Sequence, residues 1–254
     1  MAMFQNPGAF FLGTLVPSEQ KFLKVLLESA RNSGYTKFVE PCAGAFAMSH
    51  LAVQSGFKPS EIESSDVSMF TSIMGYAITD KPLGELEIHA KGFTDEELLD
   101  PAVALYAWKY LSTAKNAGKE YFYNFMLDLS GRRDEHIANI REQLERAKGI
   151  LNGMNYRTLD MWKHMDEVRE DEHCVVIANP PTYTAGFEKY YDTGGMMTWK
   201  EPEYGIFDPK TGLKEFMDMC KDAKCLVLCY EENEPGKTAG EPVFARYGVQ
   251  RYGC

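Results

Sequence analysis

The chain has 254 residues, 44% hydrophobic and 25% charged, an ordinary globular composition with room for one large α/β domain carrying an insertion or for two small domains. A net charge of −10 excludes a protein that coats nucleic acid through general cationic surface, because phosphate binding needs positive charge. No run approaches the roughly eighteen apolar residues of a membrane span, and the six cysteines do not make a dense disulfide framework, so a reduced, cytoplasmic protein is expected.

The N-terminal stretch "MAMFQNPGAFFLGTLVPSEQK" holds a short apolar patch without the basic flank and small-residue cleavage site of a signal peptide. "PSEQKFLKVLLESARNSG" then places Phe22, Val25, Leu26 and Ala30 at helical spacing, with Ser18 as N-cap and Gly34 as stop. "KFVEP" is a short strand running into the small-residue turn of "CAGAFAMSHLAVQSG", which opens a second helix. "EIESSDVS" is a second strand and "MFTSIMGYAIT" a third helix. This alternation predicts a parallel, doubly wound sheet with helices on both faces.

From Lys81 to Gly153 the pattern turns helical, in "TDEELLDPAVALYAWKYLSTAKNAG", "KEYFYNFMLDLSGRR" and "DEHIANIREQLERAKGILNG". Sheet elements resume with "MNYRTLD", the helix "MWKHMDEVRED", the strand "CVVIANPP", a Gly/Tyr-rich loop, the helix "LKEFMDMCKDA" and the strand "KCLVLCYE". Residues 1–80 and 154–254 therefore form one α/β domain that a helical insertion, 81–153, interrupts. "EPVFARYGVQRYGC" resembles one or two terminal strands, after which the chain stops abruptly: either the sheet closes here or, the reading favoured, a longer protein is cut at a domain boundary.

Cys220, Cys225 and Cys229 lie in an apolar, strand-like setting without a His or Cys partner, so buried thiols rather than a metal site are expected. The five histidines are scattered and form no metal-binding pair. Within the insertion, Lys109, Lys115, Lys119, Arg132 and Arg133 are opposed in sequence only by Glu120 and Asp128, leaving either a local basic face or solvated helix surface.

Four constellations carry chemistry. In "FVEPCAGAF" a strand ends in an acid, Glu40, ahead of a turn in which Gly44 lets backbone approach a ligand at the carboxyl end of the sheet. The acid would repel a pyrophosphate but suits an adenosyl ligand with a cationic amino-acid end; the alternative is simple helix–strand packing. Asp66 ends the second strand at the spacing of a ribose-binding carboxylate, or else caps the following helix. Asp160 ends the third, where it would accept from an adenine amine with Met161 over the ring, or again act as a cap. In "VVIANPPT" the two prolines stiffen the turn and restrict the residue before each. Asn179 oxygen and the Pro180 carbonyl can then accept both protons of one planar amine, favouring the pyramidal nitrogen that attacks a sulfonium methyl group.

"FVEPCAGAF", "ESSDVS", "TLDMW" and "VVIANPPT", in this order, resemble the successive motifs of S-adenosylmethionine-dependent DNA adenine methyltransferases, especially the Dam-like group. The resemblance implies a Rossmann-like methyltransferase sheet binding S-adenosylmethionine through Glu40, Pro41, Cys42, Ala43, Gly44, Phe46, Asp66, Asp160 and Met161. It implies a target amine held by Asn179, Pro180 and Pro181, with Thr182 standing where the family carries an aromatic residue and Tyr183 beside it. DNA would be the partner, contacted by the insertion through Lys115, Lys119, Arg132 and Arg133, in a prokaryotic or phage-infected cell. Other readings are methylation of an RNA adenine or a glutamine amide, and a non-catalytic cofactor-binding subunit.

Overall fold

The computed structural model describes residues 17–180, 192–208 and 211–229. The chain runs α1 (Pro17–Asn32), β1 (Lys37–Glu40), α2 (Ala47–Gln54), β2 (Ile62–Asp66), α3 (Met69–Ile78), β3 (His89–Ala90), α4 (Pro101–Ala114), α5 (Glu120–Gly131) and α6 (Arg133–Leu151). It continues through β4 (Asn155–Thr158), α7 (Met161–Val168), β5 (Cys174–Ala178), β6 (Met197–Thr198), α8 (Gly212–Cys220) and β7 (Leu226–Cys229). Five strands form a sheet in the order β4-β2-β1-β5-β7, every neighbouring pair parallel. The α/β class expected from the alternation is what forms.

The strands divide their side chains by the two-residue period of the pleat. Phe38, Ile62, Val175 and Ile177 join one core with α1, α2, α3, α4 and α6. Val39, Cys174, Val176 and Ala178 join the other, with α7 and α8. Strands covered on both faces tolerate no polar alternation, which explains the continuous apolar run of β5. The thiols share this environment: burial pushes Cys225 up to about 11 and Cys220 up to about 12.

In α1 the buried stripe is Leu23, Leu27 and Ala30, whereas Phe22 and Val25 are each 53% exposed. Of the four residues at helical spacing, Ala30 is buried and Leu26 packs on the core while Phe22 and Val25 face solvent, because α1 carries apolar residues on two stripes and the aliphatic one docks. Gly34 ends the helix as expected, at φ 95. α4 begins later than the helical pattern suggested: Pro101 has no N–H to give, and the Asp100 carboxylate accepts from Ala102 N at 2.9 Å.

The helical stretch 81–153 is built into the fold. Leu105, Trp108 and Leu111 of α4 and Ile140, Leu144 and Leu151 of α6 belong to the same core as Phe38 and Ile73. Trp108 packs on Phe70 with ring centroids 4.7 Å apart. Only α5 is peripheral, with Leu129 its one buried residue and Tyr121 71% exposed. The stretch also contributes β3, which pairs antiparallel with β6.

Candidate active site

Sheet order decides where a ligand can enter. From β1 the chain builds outward through β2 and β4, while β5 and β7 lie on the opposite side, so strand order reverses between β1 and β5. The connections there leave in opposite directions and open a crevice at the carboxyl ends. Val39 pairs with Val176, and three residues beyond each lie Cys42 and Asn179. The two motifs with the most specific sequence thus flank one crevice.

On the β1 side a tight turn follows Glu40. Ala43 N donates to Ser65 O at 3.0 Å, Phe46 N donates to Ala43 O at 2.7 Å, and Gly44 and Phe46 both have positive φ, 50 and 59. Gly44 N donates to Asp66 Oδ2 at 2.9 Å, and Ser68 N donates to Asp66 Oδ1 at 2.8 Å. Burial raises the Asp66 pKa against these bonds. The Ser68 side chain and the Val67 N–H add to these bonds, so the nearly buried carboxylate is largely satisfied within the protein. Cys42 Sγ meets Met161 Sδ at 3.6 Å, joining the first turn to the residue after Asp160.

Two residues expected at the cofactor have side chains engaged within the protein. Glu40 is only 2% exposed; its Oε1 accepts from Met48 N at 3.3 Å and its Oε2 from Ser49 N at 3.0 Å and from the Ser49 hydroxyl. Ser49 in turn meets Ser64 Oγ at 2.7 Å. Burial outweighs these bonds and pushes Glu40 up to about 8, so it offers no free negative charge to the crevice. Its task is to satisfy the first N–H groups of α2. Phe46 is fully buried, its ring edge-on to Tyr156 at 5.5 Å, in the core rather than on the crevice wall. Pro41 and Ala43 are buried as well. Ser49 and Ser64 escaped the sequence analysis because isolated serines carry no periodic signal.

Asp160 has the cap geometry. Its Oδ1 accepts from Trp162 N at 2.7 Å and its Oδ2 from Gly205 N at 2.8 Å, and it is 5% exposed. Behind β2 lies a network absent from the sequence analysis: fully buried His164 has Nδ1 2.7 Å from Ser65 Oγ and Nε2 3.5 Å from Glu63 Oε1. Hydrogen bonding to His164 and Lys37 holds Glu63 down at about 2.

On the β5 side, Asn179 is half-buried and its side chain takes no hydrogen bond from any described residue; Pro180 is buried. Pro181, Thr182 and Tyr183 lie outside the described residues.

The expected basic face is largely neutralised. Lys115 pairs with Asp192, Arg132 with Asp128 at 2.7 Å and Glu135 at 3.2 Å, and Arg133 with Glu97 at 2.8 Å. Lys119 Nζ lies 5.9 Å from the Phe122 ring centroid. The acids come partly from segments distant in sequence, which is why local charge counting saw only Glu120 and Asp128.

No helix among the described residues is long and apolar enough to cross a membrane. Compared with known proteins, the chain matches the family model described as Phage DNA Adenine Methylase-like domain 1 over residues 11–252. No curated protein and no solved structure gives a match.

Proposed function

The chain belongs to the phage DNA adenine methylase-like family, and from that membership we propose that it transfers a methyl group from S-adenosylmethionine to the exocyclic N6 amine of adenine in DNA. The observation carrying this reading is the placement of Asn179 and Pro180 at the carboxyl end of β5, across the switch point from the Glu40–Gly44 turn. The half-buried Asn179 amide carries the oxygen acceptor that a target amine needs.

The residues on the β1 side fit an adenosyl ligand. The Gly44 N–H bond to Asp66 draws the turn against the carboxylate that accepts from the ribose hydroxyls in this reading. Cys42 and Met161 add an apolar, polarisable wall. When bound, S-adenosylmethionine supplies the electrophilic methyl group. The chain orients the acceptor: Asn179 Oδ1 and the Pro180 carbonyl each accept one N–H of the target amine, turning its lone pair toward the methyl carbon. In this reading Pro181, Thr182 and Tyr183 are the remaining residues of the motif.

The test is transfer of labelled methyl to unmethylated DNA. Label on adenine that falls by about a hundredfold or more in Asn179→Ala, with cofactor binding retained, supports the assignment. Label on another macromolecule, or none despite cofactor binding, overturns it. The carboxylate pairing of Lys115, Arg132 and Arg133 favours a second reading, in which the planar amine belongs to a glutamine amide of a protein.

A further inference from the structure

The turn after β1 hangs from the end of β2. Ala43 N donates to Ser65 O at 3.0 Å, and Gly44 N donates to Asp66 Oδ2 at 2.9 Å. The start of α7 is tied to the same place: Leu159 N donates to Asp66 O at 3.3 Å, and the Met161 sulfur reaches Cys42 Sγ at 3.6 Å. Both walls of the proposed adenosyl site therefore take their positions from Ser65 and Asp66.

What holds Ser65 lies behind the sheet. Glu63 and Ser65 project from one face of β2 by the two-residue period of the pleat. Fully buried His164 of α7 spans them, its Nδ1 2.7 Å from Ser65 Oγ and its Nε2 3.5 Å from Glu63 Oε1. An ionised carboxylate only accepts, so Nε2 carries the ring proton and Nδ1 accepts from the Ser65 hydroxyl. Glu63 is a fixed anchor: Lys37 of β1 meets it at 3.0 Å and Arg157 of β4 at 2.7 Å, and Arg157 also pairs with Glu167 of α7 at 2.5 Å. His164 N donates to Asp160 O at 2.9 Å, so the ring sits one turn from the cap of its own helix. An apolar side chain would fill this space without burying an imidazole and a hydroxyl; what the polar pair adds is a fixed direction for Ser65.

We infer that His164 is a positioning residue of the adenosyl site. Braced on Glu63, it fixes the Ser65 hydroxyl and with it the Ser65 carbonyl from which Ala43 hangs. Without the Ser65 bond the end of β2 and the turn at Ala43 and Gly44 shift together, and a ligand that His164 never touches is held less firmly. The inference rests on the methyltransferase reading for the identity of that ligand, but the link from His164 to the turn can be read without one.

Two substitutions divide the two contacts of the ring. In His164→Asn the amide reaches where Nδ1 stands, and its oxygen accepts from Ser65 while the Glu63 contact is lost. In His164→Gln the amide reaches where Nε2 stands and donates to Glu63 while the Ser65 bond is lost. Both should lower the urea midpoint. Only His164→Gln should also speed hydrogen exchange at the Ala43 and Gly44 amides and weaken S-adenosylhomocysteine binding, by about tenfold for one lost hydrogen bond. His164→Asn should keep both within about twofold of wild type. Ser65→Ala, which removes the hydroxyl and keeps the ring, should reproduce His164→Gln and carries the test if either histidine variant fails to fold.

Equal losses of affinity and protection in the two histidine variants, or unchanged protection at Ala43 in Ser65→Ala, would make His164 a core residue alone and overturn the inference. A wild-type protein that binds no S-adenosylhomocysteine would instead refute the methyltransferase reading, and exchange at Ala43 would still decide whether His164 holds the turn.

Discussion

Glu40→Gln tests whether the buried acid at the end of β1 is a neutral structural group. The side chain is buried against Ser49 and Ser64, and its pKa is raised from 4.5 to about 8, chiefly by burial. Between those two values the folded protein keeps a proton that the unfolded chain has released, so stability falls as pH rises. The contribution is fully present below 4.5 and gone above about 8. A shift of that size is worth about 5 kcal/mol over the whole window, or about 1.4 kcal/mol per pH unit in its middle. Glutamine keeps the shape and has no proton to lose. Urea unfolding of both proteins at pH 5, 6, 7 and 8 should show wild type declining relative to the variant, with glutamine gaining ground at pH 8. Parallel pH profiles would mean that Glu40 is ionised throughout and that its hydrogen bonds, rather than burial, set its charge.

Two further changes probe the fold that carries the site. Gly75→Ala puts a Cβ 2.3 Å from the Tyr156 ring, where α3 crosses β4; the clash should cost about 1–3 kcal/mol despite the better helix propensity, read as a lower urea midpoint, and an unchanged midpoint would refute the close packing. Glu63→Gln removes a carboxylate held down at about 2, whose contribution is present above 4.5 and lost as pH falls through about 2. The wild-type advantage at neutral pH, about 1–2 kcal/mol once solvent screening of the half-exposed group is allowed for, should shrink on acidification, and equal acid profiles of the two proteins would refute it.

The strand-turn-helix at Glu40, the strand ending at Asp66 and the β5 run into Asn179 were legible because strand length, burial on both faces and turn chemistry all act locally. What was not legible depends on partners far away in the chain. The side chain of Glu40 could have faced ligand or core, and only the positions of Ser49 and Ser64 decide between them. Arg133 looked free until Glu97 approached it across the fold. α1 carries two apolar stripes, and which one docks is settled by the surface beneath it. The two-residue β3–β6 ladder is too short to leave any periodic pattern, yet it ties the stretch before α4 to Met197 and Thr198.

These long-range partners also explain why the helices between β3 and β4 could not be a loosely attached module. α4 packs Trp108 on Phe70 near the start of α3 and joins its apolar residues to the core shared with β1. α6 adds Ile140, Leu144 and Leu151 to the same core. Lys115 lies just beyond the packed stretch of α4 and pairs with Asp192. α5 buries Leu129 alone and is left at the periphery with its tyrosines exposed. Burial along the helical stretch thus follows which helices join the core shared with the sheet, with α4 and α6 inside it and α5 on the surface.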